Sequence, residues 1–170
     1  MKTNSVSFFA HQIIKPVSQN SEIILAVWEI GNPSNAGHII RLAHNVGAQK
    51  VLFVNTEANF RAAKIKKTAG FSFEQMEWKF ISKAAFVELL ESEFRLVVLE
   101  TCEGAKSIFE SELPDKTILL AGSESHGIPA EIIEQSFMQV YIPMAGGCKS
   151  MNLSHALSVA AFEWFRQRIK

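Results

Sequence analysis

The sequence predicts an α/β fold, a mainly parallel sheet with flanking helices. Three observations carry that expectation. Short apolar runs recur without alternation, as in Ile23-Ile24-Leu25-Ala26-Val27-Trp28 and Leu96-Val97-Val98-Leu99, and such runs suit strands buried on both faces, as in parallel sheets. Segments with helical spacing separate the runs, and strands alternating with helices indicate crossover units. Several runs end in polar, turn-rich loops, where open α/β sheets bind ligands.

The chain of 170 residues is expected to form one domain with a sizeable core. Hydrophobic residues make up 48% and charged residues 20%, an ordinary globular balance. Formal net charge is +0, so any contact with nucleic acid needs a local basic patch. The two cysteines, Cys102 and Cys148, have no metal-ligand spacing and read as reduced thiols of a cytosolic protein. His11, His38, His44, His126 and His155 show no metal spacing either, so no metal is expected. Met1-Lys2-Thr3-Asn4 leads into no long apolar run, and no run approaches the roughly 18 to 20 residues of a membrane helix. A cytoplasmic location is the expectation.

Taken in order, residues 1–20 read as an N-terminal appendage packed on a domain of residues 21–170. Within it Phe8, Phe9, Ile13 and Ile14 share one face of a short helix ending before Pro16. The first strand, Ile23 to Trp28, runs into the loop Glu29 to Asn35, and a helix from Ala36 to Val46 follows, stopped by Gly47. Val51 to Val54 is the second strand. Arg61, Lys64, Lys66 and Lys67 then form the densest basic cluster, either a solvated helical face or a phosphate-contacting surface. Phe73 to Ile81 shows little order. Ser82 is suited to cap a helix from Lys83 to Ser92. Leu96 to Leu99 is the third strand, ending in the loop Glu100 to Gly104, with a short helix within Ala105 to Leu113. Thr117 to Ala121 is the fourth strand, Pro129 to Gln135 a helix and Gln139 to Ile142 the fifth strand. The last helix, Asn152 to Arg168, is apolar on nearly every side, so burial or a dimer interface is expected for it.

Several chemistries are excluded by spacing. There is no G-x-G-x-x-G after the first strand and no G-x-x-x-x-G-K-[ST], against dinucleotide enzymes and P-loop ATPases. Gly122 to Gly127 lacks the G-x-S-x-G spacing of a hydrolase elbow. Asn35 is a natural N-cap or a polar orienting group. Arg41 offers a planar fork suited to phosphate. Ser150 is suited to cap the last helix, whose free N–H groups make a polar cradle.

Asn35-x-Gly37…Arg41, then Gly122-x-Glu124-x-x-Gly127, then Ile142-Pro143-Met144 with Ser150-Met151-Asn152-Leu153-Ser154-x-Ala156, together resemble the three motifs of the SpoU (TrmH-like) branch of the SPOUT RNA methyltransferases. The resemblance covers Ile23 to Arg168. It implies a SPOUT-type domain whose C-terminal part forms a trefoil knot, S-adenosylmethionine bound there, a homodimer, and methylation of a ribose 2′-hydroxyl in RNA, with tRNA ahead of rRNA. By the same resemblance the cofactor is held by Glu100, Leu120, Gly122, Ile142, Met144, Ser150, Met151 and Leu153. The catalytic set is Arg41, Asn35, Glu124, Ser150 and Asn152. Met151 and Leu153 stand where Leu and Val are commoner, swaps close in volume, and His155 receives no role. Two alternatives stand beside this reading: a catalytically silent RNA-binding protein of the same fold, and a base-modifying member of the superfamily.

Overall fold

The computed structural model describes residues 5–13, 17–56, 59–123 and 126–169. The N-terminal segment departs from expectation. Its helix, α1 (Ser5–Ala10), buries none of its residues; Phe8 and Phe9 are 60% and 56% exposed and meet each other edge-on. Six residues give too short a face to anchor a helix by packing. Ile14 and Pro16 lie outside the described residues. The chain joins the domain at Val17, which bridges Ile169.

Each apolar run read as a strand forms one. The first, β1 (Glu22–Trp28), leads into helix α2 (Pro33–Val46) and β2 (Lys50–Val54). α2 begins three residues earlier than expected. Asn32, not Asn35, is its cap, accepting from the Ser34 N–H at 2.8 Å, and Pro33 fills the first turn, where its fixed φ suits a helix and its missing N–H costs nothing. Asn35 is thereby drawn into the helix and buried. Gly47 ends α2 in the left-handed conformation, at φ 70°.

The basic cluster belongs to helix α3 (Ala62–Ala69), followed by a single turn, α4 (Ser72–Gln75), and the strand β3 (Trp78–Ile81). Helix α5 (Lys83–Leu89) is capped by Ser82 as expected, with Ser82 Oγ accepting from the Ala85 N–H. Then come β4 (Arg95–Leu99) and the two-residue β5 (Lys106–Ser107), with a 3-10 turn at Ile108–Glu110 where a short helix was expected. β6 (Lys116–Ala121), α6 (Ala130–Ile133), β7 (Met138–Tyr141) and α7 (Leu153–Arg168) complete the described residues.

The strands form one seven-stranded sheet in the order β3-β2-β1-β6-β4-β7-β5, and every pairing is parallel. Side chains alternate between the two faces. Leu25, Val27, Val97, Leu99, Leu119 and Ala121 join one core with α2 and α7; Ile24, Trp28, Leu96, Val98, Ile118 and Leu120 join the other with Phe86 of α5 and Ile132 of α6. β7 enters between β4 and β5, two strands that precede it in the chain. α7, for which burial or a dimer interface is expected, is buried on one side: Leu157, Ala160, Ala161 and Trp164 are buried, whereas Phe162 is 47% exposed. No described helix is long and apolar enough to cross a membrane.

Candidate active site

The carboxyl ends of β4, β6 and β7 open into one cavity of about 230 Å³, walled by residues 99–101, 121–123, 141, 142, 144, 149–151, 153 and 156. Parallel strands place these ends on a single edge, and three loops leaving that edge make three walls. A cavity of this size is somewhat smaller than the roughly 300 Å³ at which pockets for drug-sized ligands begin, so a larger occupant keeps one side in solvent.

Backbone approach is close at its floor. A Cβ on Gly122 would lie 2.7 Å from the Gly127 carbonyl carbon and 3.0 Å from Glu100 Oε2. Gly127 itself has φ +65°, a conformation that favours glycine. Glu100 is held by its neighbour, with Oε1 accepting from the Thr101 N–H at 3.0 Å. On the opposite wall the Lys149 ammonium donates to the Met144 carbonyl at 2.8 Å and straps the glycine-containing loop between them.

Of the cofactor set, Glu100, Gly122, Ile142, Met144, Ser150, Met151 and Leu153 line this cavity. Leu120 does not. It is fully buried in the core on the far face of the sheet, and its neighbour Ala121 takes the cavity position; the period of two along a strand separates them. Thr101, Ser123, Tyr141, Lys149 and Ala156 also line the cavity. Each lies within three residues of one named from sequence, so the strand-end positions themselves were the available signal.

The polar set divides. Asn152, not Ser150, caps α7: its Oδ1 accepts from the Ser154 N–H at 2.9 Å and from Ser154 Oγ at 2.7 Å. Its Nδ2 donates to Asn35 Oδ1 at 3.3 Å, tying α7 to α2 across 117 positions of sequence. Ser150 is exposed at the cavity wall, with its carbonyl 3.4 Å from the Cys148 thiol. Arg41 is exposed on α2 and is not among the cavity-lining residues; six residues past Asn35, it lies about 9 Å along the helix axis. Glu124 lies outside the described residues. Both cysteines are free, and burial, then the Glu100 carboxylate, push the Cys102 thiol above its ordinary range. Among the described residues no cluster of His, Cys, Asp and Glu could hold a metal.

The chain is similar to known proteins. The family model described as the SpoU rRNA Methylase family matches residues 22–162. A 23S rRNA (guanosine-2′-O-)-methyltransferase of Pseudomonas aeruginosa is 28% identical over 152 residues, which cover 89% of this chain and 61% of that protein. A tRNA (cytidine(34)-2′-O)-methyltransferase of Burkholderia ambifaria is 29% identical over 149 residues, or 85% of this chain and 94% of that one. A solved structure concerned with the 2-OH methylation of C/U34 on tRNA superposes with a TM-score of 0.77 at 29% identity, covering 87% of this chain and 97% of that chain. The chain thus spans under two thirds of the first relative and nearly all of the second.

Proposed function

Because the chain belongs to the SpoU rRNA methylase family, we propose that it is an S-adenosylmethionine-dependent methyltransferase that modifies a ribose 2′-hydroxyl in RNA. tRNA ranks ahead of rRNA as substrate, since the relative matched over nearly its whole length carries a tRNA activity in its name. The observation that carries the reading is the cavity itself: Gly122, Ile142 and Ser150, from two of the three sequence motifs, line one space at the strand ends together with Glu100.

The residues present suit the cofactor. Leu99, Ala121, Ile142 and Leu153 offer apolar walls for an adenine ring, beside Glu100, Thr101 and Ser150 for hydroxyl and amino groups. The close backbone at Gly122 leaves main-chain groups as the readers of the base edge. When bound, the cofactor supplies an electrophilic sulfonium methyl with a neutral thioether leaving group.

The chain's own work is largely positioning. Asn35 and Asn152, bonded to one another, orient polar groups of the substrate between α2 and α7. Arg41 clamps a phosphate next to the reacting ribose and stabilises the developing alkoxide. A guanidinium does not give up its proton readily, so the 2′-hydroxyl proton leaves to phosphate or water. Glu124 orders the RNA-facing loop. A homodimer, a trefoil knot after β7 and a cytoplasmic location belong to the same reading. The exposed Phe109 and Phe162 and the half-buried Phe165 support the first, and the late entry of β7 between earlier strands supports the second.

The test is calorimetric titration with S-adenosylmethionine, with Gly122→Val beside it. The parent should bind saturably. The variant, whose new side chain meets the Gly127 backbone, should melt at a lower temperature yet remain folded under the titration conditions, and should lose binding at least tenfold. Normal binding by Gly122→Val rejects this placement of the cofactor.

A further inference from the structure

The basic cluster of α3 divides into a spent cation and free ones. Lys66 meets Glu74 at 2.7 Å and lies over the Phe73 ring. Arg61, Lys64 and Lys67 are exposed and have no acidic partner among the described residues. Thr68, four residues after Lys64, lies on the same edge of the helix, and its hydroxyl donates to the Ser34 carbonyl of α2 at 3.2 Å. Lys64 therefore rises on the edge of α3 that faces α2.

On α2 a matching stripe runs along positions 37, 41 and 44, spaced four and three residues apart and so on one side of the helix. Gly37 marks that side as facing α3, because a side chain there would overlap Thr68 Oγ1 and the Ile65 carbonyl. Arg41 follows one turn on. His44 comes next, with Nδ1 3.0 Å from Oγ of the buried Ser72, a contact that fixes the imidazole. Phe71 stacks on that ring, with centroids 6.0 Å apart and planes at 30°. Phe71 is nevertheless 76% exposed. A large apolar ring is thus held in place, with most of its surface open, at the end of a row of cations that no described acidic group neutralises.

We propose that this stripe, with Lys64 and Lys67 on α3, Arg41 on α2 and the Phe71–His44 pair at its end, is the track for a single-stranded stretch of the substrate RNA. One base stacks on Phe71, and neighbouring phosphates meet the cations. The track rests on the RNA reading above and gives it a binding surface. A chain of zero net charge needs such a local patch. Aromatic platforms beside cations suit single strands, whose bases present open faces, whereas a duplex hides them.

The test uses the full chain, with fluorescence anisotropy on labelled total tRNA across a salt series. Phe71→Ala should bind about tenfold more weakly, with the slope of log affinity against log salt unchanged, and Phe71→Trp should restore binding. Lys64→Ala with Lys67→Ala should instead flatten that slope by about 1.4, roughly 0.7 for each single-strand phosphate that no longer meets a cation. Melting temperature and cofactor binding should hold in every variant. Affinity of Phe71→Ala within twofold of the parent overturns the inference. So does unchanged affinity with loss of self-association, which makes Phe71 a contact between copies. A parent that binds cofactor but no RNA at any salt overturns the RNA reading and this inference together.

Discussion

In the proposed mechanism Arg41 serves the chemistry while contributing little to the fold. It is exposed and has no ion pair among the described residues, so removing it should leave the packing intact. Arg41→Ala is expected to lower methyl transfer to RNA by at least about 100-fold, the scale of losing one charge-stabilising donor. Its S-adenosylmethionine affinity should stay within a few-fold by calorimetry. Retained turnover would reject the assigned role. At this scale the sequence was informative about residue types and less so about direction. Seven of the eight residues assigned to the cofactor line the cavity, since strand ends can be located from apolar runs. Leu120 failed because one step along a strand reverses the face. Asn35 carries two readings in the sequence, an N-cap or a polar orienting group, and the structure removes the first. The Asn32–Pro33 pair outcompeted it, and the freed amide meets Asn152.

Among the elements, the tightest junction is that of α2 and α3. Gly37 lets the helices touch: an added Cβ would overlap Thr68 Oγ1 and the Ile65 carbonyl and lie 2.9 Å from the Ala69 nitrogen. The obstacle is mostly backbone, which cannot rotate away. Gly37→Ala is therefore expected to destabilise by about 2–3 kcal/mol despite the better helix propensity of Ala. Thermal unfolding would show this as a fall of several degrees; an unchanged melting temperature would mean that the helices are more loosely joined. Elements were legible in proportion to their burial. β1, β2, β4 and β6 are nearly continuous apolar runs because both faces are covered. β3 sits at the sheet edge with Lys79 and Phe80 exposed, so its sequence lacks the run that marks a buried strand. β5 has two residues, and its pairing with β7 is set by the topology.

For the molecule as a whole, one buried carboxylate links stability to pH. Glu163 of α7 accepts from Arg166 Nε and Nη2, both at 2.8 Å, and from Gln167 Nε2 at 2.7 Å. Gln167 in turn donates to the Ser111 carbonyl and accepts from the Leu113 N–H, so the network joins the last helix to the segment before β6. The Arg166 guanidinium holds the Glu163 carboxyl below its ordinary range. In that range the unfolded chain binds the proton first, so stability is present above the ordinary value and drains away as pH falls toward the lowered one. Glu163→Gln keeps an acceptor but no charge. Its melting temperature should be lower than the parent's at neutral pH and should fall less steeply on acidification, measured by calorimetry from about pH 7 to pH 3. Parallel curves for the two proteins would mean that other groups carry the acid response.

The position of β7 has a consequence for how the protein is made. A ribosome delivers the chain from its amino terminus, and domains begin to organise as they emerge. β5 has no hydrogen-bonded neighbour in the sheet except β7, and the last cavity wall is residues 141–156. A nascent chain that has released β1 through β6 therefore holds most of a core but neither a finished sheet edge nor a ligand site. Non-local pairing of this kind is slow to form. On the proposed reading, the capacity to bind the cofactor arrives only once residues 141–156 have emerged, so cofactor added during translation would select chains that extend past Ala156 over shorter ones.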